Sequence, residues 1–180
     1  MNNKDLNKVK ECLDYINTRI KELNKMHASI PDTSKDNMNK HVYDEYTSKI
    51  ASIFSYINKT YVKVLPMIDS CIAITRQYND NYIVNLQAVR DDIVLHTKYV
   101  NMVIDGMNDC PTDPSNEHDM HTITFNIFLY SCQILDMNVS LFKYIQSSFI
   151  SCYSLIKTIQ EHESTPSEIV SLLDIIDKKG

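Results

Sequence analysis

A chain of 180 residues with 43% hydrophobic and 23% charged side chains has the make-up of one globular domain, spanning 1–180, with a sizeable core. Two glycines and five prolines are too few for the tight turns of a β-sandwich or the glycine loop of a nucleotide-binding fold. A net charge of −5 gives no general attraction to nucleic acid or anionic lipid, so neither is expected as a partner.

The first element follows from spacing. Leu6, Val9, Leu13, Ile16, Ile20 and Leu23 alternate three and four residues apart, with charged side chains on the other faces. This predicts an amphipathic helix over about 4–29, stopped where Ile30 precedes Pro31. Three heptads favour packing inside the monomer, and the same six residues are the seam a homodimer would use. Pro31 to Asp36 reads as a turn rich in capping residues.

A second helical pattern, about 36–78, runs through Tyr46, Ile50, Ile53, Ile57, Val64, Cys71 and Ile74. Pro66 lies inside it, which predicts a kink or break near Val62 to Leu65. Asn79-Asp80-Asn81 is the next weak point. Leu86, Val89, Ile93, Val100 and Val103 then carry a third helix to Gly106, read as its C-cap. Asn108 to Asp119, with two prolines, is an exposed connection.

Met120 to Ile159 is the stretch around which the chain is organised. Its only charges, His counted as neutral, are Asp136, Lys143 and Lys157, in line with Gln133, Ser140, Ser147 and Ser154. So narrow a polar strip predicts a central helix covered on most sides by its neighbours. Thr165-Pro166-Ser167-Glu168 then starts a short helix over 166–178. The fold expected is all-α: one bundle of four long amphipathic helices, the second kinked near Pro66, plus a short C-terminal helix.

Five cysteines form no C-x-x-C pair, and no secretory signal or membrane-length apolar run is visible. A reducing, intracellular (cytoplasmic) setting is therefore expected, with the cysteines as small buried hydrophobes and no structural disulfide. Fifteen Lys against three Arg, with abundant Asn, Ile and Tyr, fits an A+T-rich coding genome.

Candidates for chemistry are few. Asp109, Cys110, Asp113, Glu117, His118, Asp119 and His121 crowd one connection, but without zinc-site spacing, so no metal or cofactor is expected. Arg90-Asp-Asp-Ile-Val-Leu-His96 resembles the Arg–His element of HEPN-type helical ribonucleases. That resemblance implies phosphodiester cleavage with His96 moving a proton and Arg90 clamping phosphate, in a site completed by a second chain. Six residues are about 600° of helix, which leaves the two side chains roughly 120° apart on one helix. Hydrolase, P-loop and dinucleotide signatures are absent.

With no convergent nucleophile, base and orienting group, the expectation is a non-enzymatic interaction module. It would bind a partner protein as small viral or pathogen regulators of host pathways with helical-bundle folds do, near Pro66 or the connection before the central helix. A HEPN-like ribonuclease using Arg90 and His96, and a self-associating scaffold, are the alternatives. Far-ultraviolet circular dichroism is expected to show mostly helix with negligible sheet; substantial strand signal would end this reading.

Overall fold

The computed structural model describes residues 3–30, 40–79, 83–108 and 117–163. Those residues form four helices, α1 (Asn3–Ala28), α2 (Lys40–Tyr78), α3 (Ile83–Asn108) and α4 (Glu117–Glu163), with no strand among them. The described residues of the region 36–106 thus form two helices. The turn at 31–36, most of the connection after α3 and the C-terminal helix expected at 166–178 lie outside the described residues.

Side-chain contacts fix the directions. Tyr56 meets Glu22, and Tyr78 meets Asp5, so α1 and α2 are antiparallel. Asn58 meets Asn101 and Asp69 meets Arg90, so α2 and α3 are too. Tyr61 meets Asn138, and Thr75 meets Cys152, so α2 and α4 run parallel. The result is an up-down-up-down bundle in which α2 and α4 each touch all three other helices, while α1 and α3 stand at opposite corners. At about 1.5 Å per residue α4 is about 70 Å long and α1 only about 39 Å. Because Gln146 meets Asn17, α1 runs out near Leu135, and the N-terminal third of α4 continues without it.

The seam of α1 is used inside the chain. Val9, Cys12, Ile16 and Leu23 are fully buried, while Leu6, Leu13 and Ile20 are half-buried beside them. The buried line is therefore rotated from the heptad seam, with Cys12 replacing Leu13 at its centre. A homodimer through Leu6, Val9, Leu13, Ile16, Ile20 and Leu23 would compete with this core. Asp5 in the first turn and Lys25 and His27 in the last complement the helix dipole.

Pro66 bends its helix without breaking it: α2 is continuous through the proline, and one of the four helices is bent. Pro66 and Val62 are both exposed, so the proline and the ladder bond it removes fall on the solvent side of the helix. Gly106 is not a C-cap. It keeps helical backbone angles, α3 continues to Asn108, and no described glycine has positive φ.

The centre of the core is polar as well as apolar. The Tyr61 hydroxyl donates to Asn138 Oδ1, and Asn138 Nδ2 donates to the Ile134 carbonyl at 2.6 Å, all of it buried. The Tyr61 ring packs edge-on to Phe142, centroids 5.5 Å apart. At the α1–α2 corner the Tyr56 hydroxyl donates to Glu22 Oε2 at 2.6 Å, beside the Arg19–Glu22 ion pair at 2.8 Å.

Two measurements follow. Tyr61→Phe strands a buried acceptor on Asn138 and is expected to cost about 1–3 kcal/mol by denaturant unfolding, part of which Asn138→Leu in the same chain restores. An unchanged midpoint would mean that the pair is not buried. The second concerns pH. Burial, then the bond to Glu22, pushes the Tyr56 hydroxyl up to about 12 from an ordinary 10. The folded state holds that proton longer than the unfolded chain, so this stability is complete below pH 10 and lost as pH rises toward 12. Tyr56→Phe is expected to flatten the alkaline limb of the stability curve; an identical limb in the variant would refute the assignment.

Candidate functional site

The exposed large apolar side chains of the described chain lie mainly on α3 and α4, not beside Pro66. Near the proline only Val62 is of this kind, at 71% exposure. On α3 they are Val84, Val94, Leu95, Tyr99 and Met102; on α4 they are Phe125, Leu129, Tyr130, Met137, Tyr144 and Ile150. The central helix is thus covered on three flanks but open on the fourth. The polar line Gln133, Asp136, Ser140, Lys143, Ser147, Ser154 and Lys157 is exposed as expected. Tyr130, Met137 and Tyr144, seven residues apart, form a second and apolar line beside it.

That line borders the seam with α3. The buried face of α3 is Leu86, Val89, Ile93 and Val100, which turns Asp92, His96 and Val103 toward α4. Three cavities follow the seam in antiparallel register. One of about 290 Å³ lies between Met102, Val103 and Gly106 on α3 and Ile127, Tyr130 and Ser131 on α4. One of about 470 Å³ lies between Asp92 and His96 and the α4 residues Asp136, Met137, Leu141 and Tyr144. The smallest, about 70 Å³, lies between Asn85 and Leu86 and the residues Ser148, Ser151 and Cys152, with Thr75 of α2 behind.

Three details shape the seam. Among the described residues, Asp92 and Asp136 are the only charged side chains lining the three cavities, and both are acidic. Ser131 is 1% exposed, yet its hydroxyl has no hydrogen-bond partner among the described residues and it lines the 290 Å³ cavity. Glycine inside a helix costs about 1 kcal/mol relative to alanine. At Gly106 an added Cβ would meet nothing within 4 Å, so what the missing side chain leaves is open space on the cavity wall.

The central cavity also gathers Asp92, His96 and Ser140, residue types of an acyl-transfer triad. They are not wired as one. The His96 ring contacts Tyr99 edge-on at 6.4 Å and hydrogen-bonds neither Ser140 nor Asp92. All three sit mid-helix, where backbone N–H groups serve the helix ladder and form no oxyanion hole.

Arg90 and His96 are not brought together within the chain either. Arg90 Nε binds Asp69 Oδ1 on α2 at 2.8 Å, whereas His96 lines the seam with α4. Asp109, Cys110 and Asp113 fall outside the described residues, as do the side chains of Glu117, His118, Asp119 and His121. No group of His, Cys, Asp and Glu that could hold a metal occurs among the described residues. None of the described helices is long and apolar enough to cross a membrane. Compared with protein-family models, curated proteins and solved structures, the chain matches none.

Proposed function

We propose that the protein is a binding module that takes a basic amphipathic helix of a partner protein into the seam between α3 and α4, and that it turns over no substrate. The observation that carries this reading is the line Tyr130, Met137 and Tyr144, 55%, 45% and 41% exposed, beside cavities whose charges, among the described residues, are carboxylates. Its steps of seven residues, about 10 Å each, match the repeat of a second helix laid along the seam. Apolar anchors of that helix fill the cavities at Val103–Ile127 and at Met137–Leu141. A lysine or arginine between them pairs with Asp92 and Asp136, and Ser131 offers the incoming chain a hydrogen bond. Solvating so many large side chains in one patch is unfavourable for a free monomer, which supports a surface that is covered in use.

Fluorescence anisotropy with two labelled helical peptides tests this, one carrying leucines at heptad spacing with lysines, the other the same leucines with glutamates. The full chain is expected to bind the lysine peptide and to reject the glutamate one. Asp92→Asn together with Asp136→Asn should weaken binding by about tenfold, from two partly exposed pairs of roughly 0.5–1 kcal/mol each. Met137→Glu should abolish binding, while Val62→Glu on the far side of the bundle leaves it unchanged. Equal binding of both peptides, or binding that survives Met137→Glu, sinks the proposal. RNA cleavage lost in His96→Ala would replace it with the nuclease.

A further inference from the structure

Three thiols from three helices meet in the core at the end of the bundle where α1 begins. Cys12, Cys71 and Cys152 are buried and free, and Cys71 stands one helical turn before Thr75, the α2 residue that touches Cys152. The Cys152 sulfur also lies 3.0 Å from Thr75 Oγ1, a fully buried hydroxyl. Cys152 lines the cavity of about 70 Å³ bounded by Asn85, Ser148 and Ser151. That space holds about two water-sized molecules, and its rim is made of hydrogen-bonding side chains.

From this arrangement we propose that Cys152 and Cys71 are a peroxide-reactive pair: Cys152 is oxidised first, and Cys71 closes a disulfide that ties α2 to α4. The oxidant is hydrogen peroxide. The Cys152 thiolate attacks one peroxide oxygen, the O–O bond breaks, and the departing hydroxide takes a proton to leave as water. Cys152 is then a sulfenic acid. The Cys71 sulfur attacks the Cys152 sulfur, the S–O bond breaks, and the leaving hydroxide accepts the Cys71 proton as a second water. One peroxide is reduced and two thiols are oxidised.

The neighbours suit these roles. The hydrogen bond from Cys71, aided by the one from Thr75, holds the Cys152 thiol below its ordinary range against the opposing effect of burial. Hydrogen bonds with Cys12 and Cys152, then burial, push Cys71 up, so it keeps its proton until the sulfenic acid forms. Cys12 is also held low, chiefly by Cys71, but it does not line the cavity at Cys152. Because Cys152 touches Thr75 and Cys71 lies one turn away on the same helix, the pair sits on facing turns of α2 and α4, as a disulfide between adjacent helices requires. This inference is independent of the binding reading.

The test treats the reduced full chain with hydrogen peroxide and maps its peptides by mass spectrometry. A Cys71–Cys152 linked peptide is expected, with Cys12 still alkylatable. Cys71→Ser should leave a sulfenic acid on Cys152 that dimedone traps. Cys152→Ser should abolish both products, and Cys12→Ser should leave the disulfide intact. Serine is nearly isosteric, and circular dichroism confirms that each variant keeps its helix. The wild-type map decides the matter even if a variant fails to fold. A Cys12–Cys71 link, or three thiols left alkylatable after excess peroxide, overturns the proposal.

Discussion

The bundle depends on the contact between α2 and α4, the two parallel helices on its short diagonal. Tyr61, Asn138 and Phe142 meet there at mid-height, and Thr75, Cys71 and Cys152 meet there near one end. Both helices are long, and each must satisfy three neighbours at once, so the diagonal sets the spacing to which α1 and α3 adjust. A polar pair at its centre has a physical consequence. Tyr61 and Asn138 are satisfied only in one register, because sliding α2 past α4 by a turn would leave a buried hydroxyl and the Asn138 amide oxygen unpaired. The pair trades some stability for a single alignment, in the way that a buried Asn fixes register in a coiled coil.

That alignment explains where the exposed apolar surface lies. With α2 and α4 in contact, α1 and α3 can only fill the two grooves on either side of the diagonal. Each is about 39 Å long against about 70 Å for α4, so neither covers it from end to end. α1 closes its groove with Val9, Cys12, Ile16 and Leu23. α3 closes its own less completely. It turns aspartate, histidine and a helical glycine toward α4, and cavities remain where leucines would have filled the space. The open side of the bundle therefore owes as much to α3, which sets Asp92, His96 and Gly106 among its apolar residues toward α4, as to α4.

The thiol cluster sits beside the same diagonal, toward the end away from the cavity between Val103 and Ile127. Its three sulfurs come from α1, α2 and α4, so a bond between any two would fasten helices that otherwise only pack. A Cys71–Cys152 bond would join the two helices whose mutual register the Tyr61–Asn138 pair already sets. It would reinforce the existing alignment and impose no new one.

Local periodicity carried most of the fold. Residues that recur every three or four positions must share a helix face whatever they later touch, so the helices over 3–28, 40–78, 83–108 and 117–163 were legible within a few residues of their ends. The turn-forming Asn79-Asp80-Asn81 marked the end of α2, and the polar line of α4 pointed to solvent as its spacing required. The line Tyr130, Met137 and Tyr144 was equally periodic, but period alone does not say whether an apolar line meets a neighbour or water. That was decided by where α3 lies and by which of its side chains face α4. Tertiary structure also decided that the buried line of α1 passes through Cys12, that α2 bends but continues through Pro66, and that α3 continues through Gly106. It alone brought together Cys12, Cys71 and Cys152, and Tyr61 with Asn138. Sequence spacing governs what shares a face within one helix; distances between helices are set by packing, and no period in a single chain records them.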